Sequence, residues 1–232
     1  MIVTISREYG SAALDVAHRV GELLGYRVVG EDFPNIAALR LGTTRDDVEA
    51  VESREPSLAE RILHNLGTAQ PETHSAISPQ SFEREVRKEI EAAVREAAEA
   101  PDVVIVGGIA NVILRGRPNL LSVFLHAPVE YRIARIQSHH DVSLEEARKE
   151  VARVDAARRR WAKLHYDLEW GRVDYYDLTL DVSHFGIELT AQMIVQAVRL
   201  QRAVGSRRPT YHYEQDVEQF FRHSPAVVRE PT

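Results

Sequence analysis

The 232-residue sequence contains no cysteine, so disulfide frameworks, zinc–thiolate sites and cysteine nucleophiles are excluded. It has no excess of positive charge either. Against 29 Lys and Arg stand 35 Asp and Glu, a formal net charge of −6, which speaks against a dedicated nucleic-acid binder. No segment approaches the ~18 consecutive apolar residues of a membrane span. Residues 1–20 carry neither a basic leader nor an apolar run of signal-peptide length, so a cytoplasmic protein without membrane contact is expected. No internal repeat is visible, and the Walker pattern G-x-x-x-x-G-K-[ST] is missing.

What is present is ordinary globular material: 44% hydrophobic and 28% charged residues, enough for one large α/β domain or two small ones. Short β-branched or apolar runs alternate with stretches of helical spacing. IVTI (2–5), YRVV (26–29), VVIV (103–106), the run LLSVFLHAP and LTLDV (178–182) read as five strands. Val16, Val20, Leu23 and Leu24 share one face of a first helix, which Gly25 ends. Ser143 and Glu146 form a capping box that opens a helix running towards Trp161.

Strands separated by helices imply a parallel sheet covered on both faces, with right-handed crossovers and the ligand-bearing loops on one rim. The expected organisation is a domain over 1–205, with a helical insert at about 33–82 and a lid at 140–170. Residues 68–81 read as a mobile loop, and 206–232 as a C-terminal arm.

Two constellations fall on that rim. SREYGSAALD (6–15) joins the first strand to the first helix, where free N–H groups and the helix dipole favour an anion; Ser6, Arg7, Gly10 and Ser11 are its candidate binding residues. The second is rich in arginine. Arg132 and Arg135 follow the fourth strand, while Arg153, Asp155, Arg158, Arg159, Arg160 and Lys163 crowd one helix. Arginine suits bidentate phosphate contact, although on the residues alone a solvated helix face paired with Glu145, Glu146, Glu150 and the insert is the commoner reading. His139 and His140 are adjacent and so cannot share a helix face as metal ligands, and no metal site is assigned. Trp161, Tyr166, Trp170, Tyr175 and Tyr176 could stack a base, but aromatic core is the commoner explanation for such a set, and no role is assigned to them.

Taken in order, ITISREYGS, the VIVG…ANVILRGRPN block, FLHAPVEYRIARI, the D-A-A-R helix and WG…YYDLTLDVSHFG resemble the cytidylate-kinase-like family of P-loop proteins over most of residues 1–200. The resemblance implies a nucleoside-monophosphate-kinase fold: a five-stranded parallel sheet flanked by helices, with an insert and a lid. It also implies transfer of the ATP γ-phosphoryl to CMP or dCMP with Mg²⁺. Arg158, Arg132 and Arg135 are then expected to stabilise phosphoryl charge, Asp155 to orient the lid, and Ser11 or an acidic loop residue to help hold Mg²⁺. The chain departs from the family pattern S-R-E-Y-G-S-G-G-R in carrying Ala12, Ala13 and Leu14. It also reads Val106-Gly107-Gly108-Ile109 where V-G-R-G is usual, and Glu31-Asp32 are shifted from the acidic position expected beside Gly30. Two readings follow: a working or respecialised kinase, and a non-catalytic relative that binds a nucleotide or a protein partner. A homo-oligomer is compatible with both.

Overall fold

The computed structural model describes residues 1–30, 32–53, 79–107 and 109–205. Five strands, β1 (Ile2–Arg7), β2 (Arg27–Val29), β3 (Val103–Val106), β4 (Leu120–His126) and β5 (Leu178–Asp181), form one sheet in the order β2-β3-β1-β4-β5. Every pairing is parallel, with Ile5 opposite both Val106 and Val123. The parallel sheet flanked by helices expected from the alternating pattern is therefore present. β3 is buried throughout, as a strand covered on both faces must be.

The period of two along β1 divides its side chains between two cores. Val3 and Ile5 point to one face, where α1 (Ala13–Leu24) and the last helix, α8 (Val182–Val204), pack through Val16, Val20, Ile194 and Val198. Ile2 points to the other, under α4 (Pro79–Ala97) and the short α5 (Ala110–Ile113), with Val94 and Ile113 at the contact. Burying such side chains is worth about 1.5–3 kcal/mol each, which is why this alternation fixes the register of the sheet.

The described part of the insert is helical: α2 (Phe33–Leu41) and α3 (Arg45–Ser53) join α4 around Ala37, Ala38, Val48 and Val86. Helix α4 begins at Pro79, so the last residues of the expected 68–81 loop are its first turn; proline is tolerated there because a first-turn N–H has no intrahelical partner. The rest of that loop, the helical turn read at AERILHNLG, Glu31, Gly108 and the 206–232 arm lie outside the described residues. Helices α6 (Val129–His140) and α7 (Leu144–Tyr166) complete the fold. The capping box at the start of α7 is formed as the sequence predicts, Ser143 accepting from the Glu146 N–H and the Glu146 carboxylate accepting from the Ser143 N–H.

Candidate functional site

The carboxyl ends of β1, β3 and β4 deliver Glu8, Gly107 and Ala127 to one rim of the sheet. There the chain leaves β1 at Arg7, turns through Gly10 at φ 81° and Ala12 at φ 59°, and enters α1 at Ala13. A Cβ on Gly10 would lie 2.8 Å from the Arg132 carbonyl oxygen, so glycine is required there for space as well as for conformation. Ala12 occupies the left-handed region without glycine's freedom, at a cost of about 1–2 kcal/mol. Ala13 is helical and costs nothing of the kind. No side chain caps α1 at Ala12, so the N–H groups of its first turn remain for an external acceptor.

Behind this turn lies a charged network. Arg132, 6% exposed, donates from Nη1 to the Tyr9 carbonyl (3.1 Å) and to Asp155 Oδ2 (2.5 Å), and from Nε to the Ala127 carbonyl (3.0 Å). Asp155, 2% exposed, accepts the Tyr9 N–H through Oδ1 at 3.0 Å. Glu8 accepts the Ala127 N–H and sits 3.3 Å from Arg132 Nε. Arg132, expected to stabilise phosphoryl charge, and Asp155, expected to orient the lid, thus lie behind the loop and bind each other. Both are enclosed by protein, and these donors and acceptors are committed to backbone and to each other.

Ser6 and Ser11, expected to bind an anion, are placed in a similar way. Both are buried: the Ser6 hydroxyl donates to Asn111 Oδ1 and the Ser11 hydroxyl to the Glu8 carbonyl (2.9 Å), so they brace the turn from within. Arg135 pairs with Asp15 in the first turn of α1, on the outer side of the loop.

In front of the turn opens a cleft of about 700 Å³, walled by the loop, α2, α3, α4 and α7. Of the predicted residues, Arg7 and Arg158 line it. Arg158 donates to the Arg7 carbonyl at 3.0 Å, with its guanidinium carbon 5.7 Å from the ring centre of Tyr9 and 5.9 Å from that of Trp170. Cation–π contact of this kind holds a planar cation in place without neutralising it. The Tyr9 hydroxyl donates to Glu150 on α7, and burial together with that carboxylate pushes the phenol well above its ordinary pKa, so it stays protonated.

Sequence reasoning missed Arg45, Asp46 and Arg87 as lining groups, placed Arg153 on the rim without a role, and preferred core to base stacking for Trp161, Tyr166 and Trp170, although all three reach the cleft wall. The available signal was their interleaving with arginines along α7 and just beyond it. The indole N–H of Trp170 has no acceptor among the described residues. Cationic and aromatic groups in a cleft of this volume suit a flat ring bearing phosphate. The residues present fit a Mg²⁺ ion less directly: no group of three potential metal ligands occurs among the described residues, and the loop's carboxylate and Ser11 hydroxyl are turned into the protein.

The sequence profile of the cytidylate kinase-like family matches residues 2–184. The cytidylate kinase of Pyrobaculum neutrophilum is 34% identical over 190 residues, 81% of this chain and 86% of that protein. The cytidylate kinase of Methanopyrus kandleri is 30% identical over 118 residues, 47% of this chain; the match spans 61% of that relative's length. Among solved structures, an uncharacterized protein from Eubacterium ventriosum ATCC 27560 superposes with a TM-score of 0.62 at 18% identity, covering 86% of this chain and 98% of that one, a likeness of fold. The chain belongs to the cytidylate kinase-like family.

Proposed function

We propose that this member of the cytidylate kinase-like family takes a cytidine-type nucleoside monophosphate, CMP or dCMP, into the cleft and transfers to it the γ-phosphoryl group of ATP. The observation that carries this reading is the position of Arg158. It is bonded to the strand end that begins the phosphate loop, yet it lines the aromatic cleft on the loop's other side. A cation so placed stands between the two halves of a phosphoryl-transfer site.

The bond changes are simple. An oxygen of the acceptor phosphate bonds to the γ-phosphorus as the bond from that phosphorus to the β–γ bridging oxygen breaks, giving a nucleoside diphosphate and ADP. The loop N–H groups and the amino end of α1 hold the donor phosphates. Arg158, with Arg7 beside it, neutralises charge spread over the equatorial oxygens of the transferring group. Mg²⁺ would supply further neutralisation of phosphate charge in this chemistry, and among the described residues the loop offers it little. The base lies towards α3, where Asp46 supplies an acceptor for an exocyclic amine, as a carboxylate does for the cytosine amino group.

A second reading, nucleotide binding without transfer, has its own support. Leu14, where the family pattern carries a basic residue, packs against the core between the sheet and α1, so α1 supplies no cation at that position. Loss of one phosphate-stabilising cation lowers phosphoryl transfer by on the order of 10³. Labelled γ-phosphoryl transfer to CMP, dCMP, UMP and AMP decides between the two readings. Formation of CDP or dCDP supports the kinase; a folded protein that binds nucleotide and turns over none of the panel supports the second.

A further inference from the structure

We propose that Asp155 and Arg132 are positioning residues that clamp a single residue of the phosphate loop, Tyr9, by both of its backbone polar groups. Asp155 holds the N–H of Tyr9, Arg132 holds its C=O, and the two side chains bind each other. The clamp is anchored on both sides. Arg132 Nε reaches the Ala127 carbonyl, and Glu8 takes the Ala127 N–H, so the ends of β1 and β4, α6 and α7 all meet around Tyr9.

Two features require such a device. A buried ion pair gives little net stability over an apolar replacement, so its best-attested use is to specify one conformation. And the conformation to be specified here is one the local sequence resists. Ala12 stands in the left-handed region, and such strain persists only where the surroundings over-determine it. One residue before the turn, the clamp fixes the two peptide groups on either side of the Tyr9 Cα, which aim it; Gly10, packed against the Arg132 carbonyl, transmits the constraint. The loop thus keeps a phosphate-ready shape by being held from behind, where a glycine at position 12 would adopt it without strain. That this shape serves phosphate rests on the function proposed above; that Asp155 and Arg132 impose it does not.

The test uses Asp155→Asn in the full chain, read in two ways. Without ligand, amide hydrogen exchange in residues 8–14 is expected to accelerate at least about tenfold while β3 stays protected, since local opening reports local stability. With ligand, calorimetry is expected to show ATP–Mg²⁺ affinity falling by about tenfold or more and CMP affinity holding within about twofold, because lost preorganisation penalises the ligand that the loop binds. Unchanged loop exchange in the folded variant overturns the clamp. So does an equal loss for ATP and CMP, which means that Asp155 acts on the cleft as a whole. If the wild-type chain binds no ATP, the proposed function fails, and the exchange measurement alone still decides the clamp. Should Asp155→Asn not fold, Arg132→Gln/Asp155→Asn removes both charges together and carries the same expectations.

Discussion

Asp155 and Tyr9 are 146 residues apart in the chain, and a carboxylate oxygen of one lies 3.0 Å from the backbone nitrogen of the other. The bond ties the arginine-rich helix α7 to the loop after β1, so the loop and the wall of the cleft form one unit.

That unit puts Arg158 to use. Arg158→Ala is expected to lower kcat for transfer by on the order of 10³ and to weaken monophosphate binding, measured by steady-state kinetics and calorimetry. Arg158→Lys restores little, because a compact ammonium neither stacks between Tyr9 and Trp170 nor forks towards phosphate. Full activity in either variant removes Arg158 from the mechanism.

Adjacent alanines in the loop are expected to respond with opposite signs to the same change. Ala12→Gly relieves a left-handed alanine and, after the extra entropy of a glycine, gains up to about 1 kcal/mol. Ala13→Gly loosens a helical residue and loses about 1 kcal/mol. Gly10→Ala drives a methyl group into the Arg132 carbonyl and costs about 2 kcal/mol or more. Denaturant unfolding of the three variants measures all of this; equal shifts for Ala12→Gly and Ala13→Gly contradict the loop conformation.

Discrimination between bases should depend on α3. Asp46→Asn is expected to lower the ratio of kcat/KM for CMP over UMP by about tenfold, since an amide can turn its donor towards the uracil carbonyl. If the ratio does not move, the base lies elsewhere in the cleft.

At the opposite end of the sheet, Asp102 accepts from the amino group of Met1 at 2.7 Å and pairs with Arg202. The hydrogen bond from the Met1 ammonium is the largest cause holding the carboxyl down, at a pKa of about 2. A carboxyl depressed by folding contributes stability that is present above its unfolded pKa, about 4, and lost as pH falls through about 2. Asp102→Asn is therefore expected to lower the melting temperature at neutral pH, by an amount kept small by the exposure of the pair, and to match the wild type near pH 2. A gap that persists at pH 2 means the variant acts through something other than charge.

The fold was legible because it follows local rules. The capping box at Ser143 and Glu146, the glycine stop at Gly25 and the apolar run through Val123 and Leu125 each contain their own instruction. The site was legible only in part. Arg132 and Arg158 are the same residue type at comparable spacing from their neighbours, yet one is sealed behind the loop and the other lines the cleft. That difference is set by Tyr9, Asp155 and Trp170, partners far away in the chain. Helical periodicity identifies the face of α7 that is covered; it does not say whether the cover is core or cleft, and so Trp161 and Tyr166 were read as packing. The positive φ of Ala12 follows from the turn into α1, and alanine, unlike glycine, does not advertise it.

The chain has two tryptophans, and both line the cleft. Its ultraviolet emission is consequently a native optical probe of that cavity, with no distant indole to dilute the signal. A nucleotide stacking beside Trp161 or Trp170 should quench or shift the spectrum in a saturable titration, giving occupancy directly from unlabelled protein whether or not any phosphoryl group moves.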